Sequence, residues 1–147
     1  MLKPELEKTL PQAVEQVQRL HSVNDVANLL EVPSGQLLHI LYKQPLEKHC
    51  KTFLIPKKRG GYRTIKAPKG SRKILLEKLK PIFSELYRTK ACVHGFVPER
   101  SIVTNAKKHK KKRYVLNIDL VDFFPTIHFG RIRGLFMASP FNMGNKA

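Results

Sequence analysis

The sequence predicts an α+β fold from three observations. Apolar residues recur at helical spacing through the first fifty positions, two β-prone runs flank the pair Gly60-Gly61, and an alternating segment from Tyr114 to Leu120 carries a carboxylate, Asp119, near its end.

In chain order, Leu6, Leu10, Val14, Val17 and Leu20 follow one helical face interrupted by Pro11, which predicts one helix or two short ones within residues 1–20. Ser22-Val-Asn-Asp25 has the form of a capping box ahead of Val26, Ala27, Leu29 and Leu30. Pro33-Ser34 then opens a second short helix through Leu37, Leu38, Ile40 and Leu41. Such a pair could be taken for a DNA-binding helix-turn-helix, but residues 22–42 contain no Lys or Arg, and a recognition helix without cations has nothing to set against phosphate. The pair is expected to pack.

From Thr52 to Arg59 and from Tyr62 to Pro68 the chain reads as a β-hairpin, because glycine at 60 and 61 accepts the positive φ values of a tight turn. Its tip carries Lys57, Lys58, Arg59 and Arg63, which suit either a charged edge that discourages strand association or a phosphate-binding surface. Residues 71–90 form a basic amphipathic helix with Ile74, Leu75, Leu79, Ile82, Phe83, Leu86 and Tyr87 on its apolar side, and Pro81 is expected to kink or split it. Lys107 to Arg113 is all cationic except His109, a solvated loop that leads straight into the alternating segment. There the two-residue period puts Tyr114, Leu116, Ile118 and Leu120 on one face, for packing, and Val115, Asn117 and Asp119 on the other, facing a cleft. Asp122 follows closely. Taken alone, a D-x-x-D pair serves equally well as turn or cap residues closing a strand. Ile132, Leu135 and Phe136 mark a helix after it.

The net charge is +17, from 28 Lys and Arg against 11 Asp and Glu, and it is localised. Residues 1–50 hold 5 bases and 6 acids, residues 51–113 hold 20 and 3, and residues 114–147 hold 3 and 2. A field concentrated in the middle third favours a polyanion such as nucleic acid. No apolar run reaches the length of a bilayer span and no signal-peptide pattern opens the chain, so a cytoplasmic protein with no membrane partner is expected. Cys50 and Cys92 are too few for a disulfide framework and are expected as buried or half-buried thiols. Neither His49-Cys50 nor Cys92-Val-His94 has the ligand spacing of a zinc finger.

Three ordered blocks add a resemblance: Ile55-Pro-Lys-Lys-Arg-Gly-Gly-Tyr-Arg-Thr-Ile-Lys-Ala-Pro68, His94-Gly-Phe-Val-Pro-Glu-Arg-Ser-Ile-Val-Thr-Asn-Ala106, and Val115-Leu-Asn-Ile-Asp-Leu-Val-Asp-Phe-Phe-Pro-Thr-Ile127 with Phe129-Gly-Arg131 after it. Together, across roughly residues 51–136, the chain resembles the retron-type branch of bacterial reverse transcriptases. The resemblance implies the fingers and partial palm of a right-hand polymerase: a helical N-terminal extension over 1–50, fingers over 51–112, and an incomplete start of the palm over 113–147. It implies that the hairpin folds over an incoming deoxynucleoside triphosphate, with Arg63 and Lys57 on the phosphates, and that the block with Arg100 helps place template and nucleotide, Arg100 and Asn105 being alternatively structural; the charge pattern adds Lys58, Arg59, Lys110, Lys111, Lys112 and Arg113 as nucleic-acid contacts. It makes Asp119 the first catalytic aspartate, binding Mg²⁺ with the backbone carbonyl of Leu120 in a two-metal site. Phe124 falls where the family places a bulky residue against the nucleotide sugar, and Asp122 becomes a supporting carboxylate. Implied partners are an RNA template and primer, deoxynucleotides, a retron noncoding RNA and an effector protein, with synthesis of small single-stranded DNA and a role in phage defence.

One departure stands out. The family's palm needs a second acidic pair in a Tyr-x-Asp-Asp hairpin, whereas this sequence has no Asp-Asp and no acid after Asp122. The expectation is therefore the N-terminal half of a polymerase, inactive on its own, arising from a truncated gene, a split gene or a partial sequence. Two other readings are a non-catalytic RNA-binding relic of a polymerase and a relative in the group II intron or diversity-generating branches.

Overall fold

A computed structural model describes residues 2–58 and 60–145, apart from the side chain of Leu46. In chain order they form α1 (Leu10–Val17), α2 (Val23–Leu29), α3 (Ser34–Leu38), α4 (Leu46–His49), β1 (Cys50–Pro56), β2 (Tyr62–Pro68), α5 (Gly70–Leu86), α6 (Ile102–His109), α7 (Phe123–Thr126) and α8 (Phe129–Met137). Helices and a small sheet coexist, as the sequence predicts.

Pro11 does not interrupt α1. It sits in the first turn, where its missing N–H has no helical partner to lose, and the helix begins only at Leu10, leaving Leu6 in the preceding irregular chain. The Thr9 N–H donates to Gln12 Oε1 at 3.0 Å, which closes the entry. At α2 the expected capping box is formed: the Asp25 N–H donates to Ser22 Oγ at 3.2 Å, and the Ser22 N–H donates to Asp25 Oδ2 at 2.8 Å. Past α3 the helix widens over His39–Lys43, so that the Gln44 N–H reaches the carbonyl of His39, five residues back, at 3.1 Å.

β1 and β2 pair antiparallel with Pro56 opposite Tyr62, Ile55 opposite Arg63 and Phe53 opposite Ile65. Their connection spans Lys57 to Gly61, and both glycines have positive φ, +88° at Gly60 and +78° at Gly61. α5 is one helix through Pro81, so of the kink or split expected there the split does not occur. Ile82, fully buried, with Leu79, Phe83 and Leu86 partly so, anchors both halves of the helix, while Pro81 faces solvent, where water can satisfy the carbonyl that its ring cannot.

Two clusters make the core. One joins Ala13, Val17, Leu20, Leu29, Ile82 and Phe141, with Phe83 and Phe136 packed against it; the other joins Ala27, Leu30, Val32, Leu37, Ile40 and Leu75. Phe83, Phe136 and Phe141 meet in pairs at centroid distances of 5.3 to 5.4 Å. Buried Lys78 donates from Nζ to the carbonyl of Leu30 at 2.7 Å, a cation at the negative end of α2. Cys50 is half-buried at the start of β1, but Cys92 is exposed rather than tucked in, because its loop lies off both clusters. No helix among the described residues is long and apolar enough to cross a membrane.

The alternating segment departs most from expectation. Residues 114–120 form no strand ladder, and the face meant for packing is open, with Leu116 at 82% exposure. A lone strand leaves its backbone groups to water and has nothing to pack against, and the one sheet described is the β1–β2 hairpin.

Candidate functional site

The basic surface has two foci. At the hairpin, Lys57, Lys58 and Arg63 line a concave face of about 470 Å³ with Ile55, Pro56 and Ile65. The register explains the mixture: Arg63 lies opposite Ile55 and two residues from Ile65 on the same face, so its guanidinium rises from an apolar base. Arg59 lies outside the described residues.

The second focus is α6. Ser101 caps it, accepting from the Thr104 N–H at 3.3 Å, and Lys107 and Lys108 occupy its last turn, at the negative end of the helix dipole. Lys110, Lys111, Lys112 and Arg113 follow in a turn, so the cationic run is half helix and half loop rather than loop throughout. The Arg113 guanidinium lies 5.4 Å from the centroid of the Tyr114 ring. A groove of about 600 Å³ runs between α6 and the extended chain, lined by Val103, Asn105, Lys107, Lys110, Val115 and Asn117 among others. Among the described cations between residues 51 and 113, only Lys73 forms an ion pair, with Glu77, so the positive field there is nearly unneutralised.

The segment before α6 is tied down from inside. Arg100 donates to the carbonyls of Lys90 at 2.9 Å and Ala91 at 3.4 Å, and to that of Val93. All three contacts come from one nitrogen, Nη1, which holds the loop and leaves Nε and Nη2 without a partner among the described residues. His94 Nδ1 lies 2.9 Å from Thr104 Oγ1, which is itself 2.8 Å from the Ser101 carbonyl, so the ring is held against the start of α6.

Asp119 is exposed, and its carboxylate makes no hydrogen bond or ion pair among the described residues. Asp122 precedes α7 with φ +49° and ψ +35°, a left-handed geometry that Asp tolerates better than most residues, and its side chain caps nothing. Its structural contribution is this turn. Phe124, 79% exposed, meets the Phe123 ring edge-on at 5.3 Å. Neither basic concavity includes Asp119, so the structure does not bring the hairpin cations, the α6 cations and the carboxylate together into one pocket.

As a metal centre the site is incomplete. Among the described residues no three His, Cys, Asp or Glu side chains gather, and beyond Glu99 the sequence has only Asp119 and Asp122 as acids. Mg²⁺ demands near-octahedral oxygen coordination, and Asp119 with the Leu120 carbonyl offers only part of such a set. Sequence reasoning found the charged residues because charge is visible in composition. It placed Val115 and Asn117 on a cleft face but did not find the α6 groove, because no local spacing joins them to Val103 and Asn105.

No family model matches the chain, and no solved structure matches it. Curated relatives do. The chain is 42% identical over 116 residues to the Retron Mx65 reverse transcriptase of Myxococcus xanthus, covering 78% of this chain and 27% of that protein. It is 38% identical over 118 residues to the Retron Mx162 reverse transcriptase of the same organism, covering 79% and 24%. To the Retron Ec73 reverse transcriptase of Escherichia coli it is 43% identical over 82 residues, covering 54% and 26%. It thus spans about a quarter of the length of the relatives it matches, and on this similarity the chain belongs with the retron-type reverse transcriptases.

Proposed function

We propose that this chain is the fingers and first palm segment of an RNA-directed DNA polymerase, with residues 1–50 as a helical extension. The observation that carries the reading is the 42% identity over 116 residues to a retron reverse transcriptase. In the complete enzyme a primer hydroxyl attacks the α-phosphate of a deoxynucleoside triphosphate; the new P–O bond forms as the bond to pyrophosphate breaks, and the hydroxyl proton is lost. Lys57 and Arg63 bind the departing phosphates, the arginine bidentately and the lysine as a point charge. Lys58, Arg59 and the Lys110–Arg113 run hold template and primer backbone, and Arg100 orders the loop that leads into α6. Asp119 and the Leu120 carbonyl contribute donors for Mg²⁺, whose chemistry when bound is to stabilise charge on the attacking and leaving oxygens. The remaining carboxylates must come from outside these residues. A retron noncoding RNA as template, an effector protein as partner, a cytoplasmic location and a defence role belong to the same reading.

Primer extension tests it. The 147-residue chain alone, on a primed RNA with Mg²⁺, adds no nucleotide, because the donor set is incomplete. Joined to the remainder of one of its retron relatives it does, and Asp119→Asn in that chimera abolishes extension while RNA affinity stays within about twofold, since the amide keeps the shape and loses the charge. Extension by the Asp119→Asn chimera at the parent rate would overturn the assignment.

A further inference from the structure

We propose that residues 2–8 form a strap that opens as a unit while α1, α2 and α5 stay folded, and that Glu31 is its latch. The strap is irregular chain ahead of α1, and it touches both core clusters, with Leu6 packed on the first and Leu2 on the second. Its backbone is held at one place. The N–H groups of Glu7 and Lys8 donate to the two oxygens of the Glu31 carboxylate, at 2.7 and 3.0 Å. Among the described residues the other polar ties from strap to body all come from the Lys8 ammonium, which donates to the Asn28 carbonyl at 2.7 Å and to Gln16 Oε1 at 2.9 Å and lies 3.9 Å from the same carboxylate.

The backbone at Glu31 gives the reason for a carboxylate there. α2 ends in a left-handed turn, with φ +53° at Glu31, in which the Val32 N–H donates to the Ala27 carbonyl at 3.0 Å and the Glu31 N–H to the Asn28 carbonyl at 3.2 Å. Glycine is the residue that such a helix end favours. A glutamate there is strained, and the turn makes no use of its side chain, whereas the carboxylate meets two N–H groups 24 and 23 residues back in the chain. The strain serves the strap. Because both main-chain bonds depend on one side chain they are lost together, which is the condition for a local opening that runs ahead of global unfolding. Opening bares the seats of Leu2 and Leu6, a seam along both clusters that the closed strap covers.

Hydrogen exchange of the full 147-residue chain, read residue by residue by NMR, tests this, with Glu31→Gly as the deciding variant. Glycine keeps the left-handed turn and removes the latch, so the two roles of position 31 separate. In the parent chain the Glu7 and Lys8 amides are expected to exchange more slowly than an open chain but roughly tenfold or more faster than the amide of Ile82. In Glu31→Gly their exchange should rise about tenfold or more, towards the open-chain rate, while Val32 at the helix end and Ile82 in the core keep their protection. Unchanged protection of Glu7 and Lys8 in the variant, or open-chain exchange already in the parent, would overturn the latch. Loss of protection at Val32 with the strap unaffected would assign Glu31 to the helix end instead. Exchange of Glu7 and Lys8 in step with Ile82, in either chain, would overturn the independent opening and make residues 2–8 part of one cooperative body.

Discussion

The helical body and the arm that carries Asp119 are both rich in apolar residues, yet one buries them and the other does not. In the body, α1, α2 and α5 close on Val17 and Ile82, each fully buried. In the arm, from α6 to the start of α8, Ile102, Leu116, Ile118, Val121 and Phe129 all stand open to solvent. The difference lies in the availability of partners. Helices of the body find one another within a short stretch of chain, whereas an alternating strand needs neighbours on its edges and across its face. The segment that carries the candidate chemistry is therefore the segment least stabilised by the residues described, and the chain spans only about a quarter of its relatives' length.

The largest contrast is in stability. Ile82→Ala removes a fully buried side chain and is expected to cost about 2–5 kcal/mol in urea unfolding, from lost transfer free energy and the cavity left behind. Leu116→Ala, at an exposed position, should change stability by no more than about 0.5 kcal/mol. Comparable losses at the two positions would mean that the arm packs in solution after all. In a chimera carrying the rest of a relative, the cost of Leu116→Ala should rise, and that rise measures how much of the arm the added chain covers.

The body extends to the far end of the described chain. The Gly144 N–H donates to the carbonyl of Leu20 at 2.6 Å, and a β-carbon on Gly144 would meet His21 Nδ1 at 2.7 Å and the Leu20 carbonyl at 2.9 Å. Gly144→Ala is therefore expected to cost about 1–3 kcal/mol, because backbone and a short side chain both have to give way. Gly35→Ala is the control. It has open space around it within α3 and should raise stability by about 0.4–1 kcal/mol. A neutral Gly144→Ala would show that residues 141–145 are not docked on the end of α1.

What the sequence revealed follows the same division. The capping box at Ser22, the hairpin around Gly60-Gly61 and the apolar face of α5 are encoded by residues close together in the chain, and they were legible. At the prolines the sequence left two outcomes open, and the chain takes the continuous one at each: position 11 is in the first turn, where no helical N–H is lost, and position 81 faces solvent, where water can take the freed carbonyl. The strand through Asp119 was readable as a pattern but not as a structure, because its pairing depends on partners that no local spacing specifies. At the site, charge made Lys57, Arg63 and the Lys110–Arg113 run visible. A structural role for Arg100 was one of two readings open in the sequence, but its carbonyl partners and the shape of the α6 groove arise from loop geometry and had no signal of their own.

A smaller effect tests the entry to the body. Ser22→Ala should cost about 1 kcal/mol by removing an N-cap. Its partner Asp25 has its carboxyl held below the usual range by the main-chain N–H of His21, then by the Ser22 hydroxyl and N–H. At Glu31, burial pushes the carboxyl up, but the N–H groups of Glu7 and Lys8 and the Lys8 ammonium outweigh it, and the net shift is also downward. A depressed folded value means that the contribution is present above the unfolded carboxyl value, about 4, and is lost as pH falls through the folded values. The body should therefore weaken below about pH 4, and Asp25→Asn should flatten that dependence. No flattening would place the acid-sensitive group elsewhere.

The smallest expected change in stability belongs to Phe124, and there selectivity is the readout. Its ring is 79% exposed, against 46% for Phe123, so removing it from the chain should cost no more than about 0.5 kcal/mol. Within the described residues the ring packs only edge-on against Phe123. The resemblance puts that ring against the sugar of the incoming nucleotide, where overlap with a 2′-hydroxyl would reject ribonucleotides without any attractive contact to the correct substrate. Phe124→Val in an active chimera should relieve an overlap of about 1–3 kcal/mol, raising ribonucleotide use relative to deoxynucleotide by roughly 5- to 150-fold. The requirement for Mg²⁺ should be unchanged, because Asp119 is untouched. If sugar selectivity stays the same while Phe124→Val lowers the melting temperature of the chimera, the ring is a core residue covered by the added chain. If Phe123→Val shifts selectivity instead, the gate is the neighbouring ring and the turn at Asp122 aims the pair differently from the family pattern.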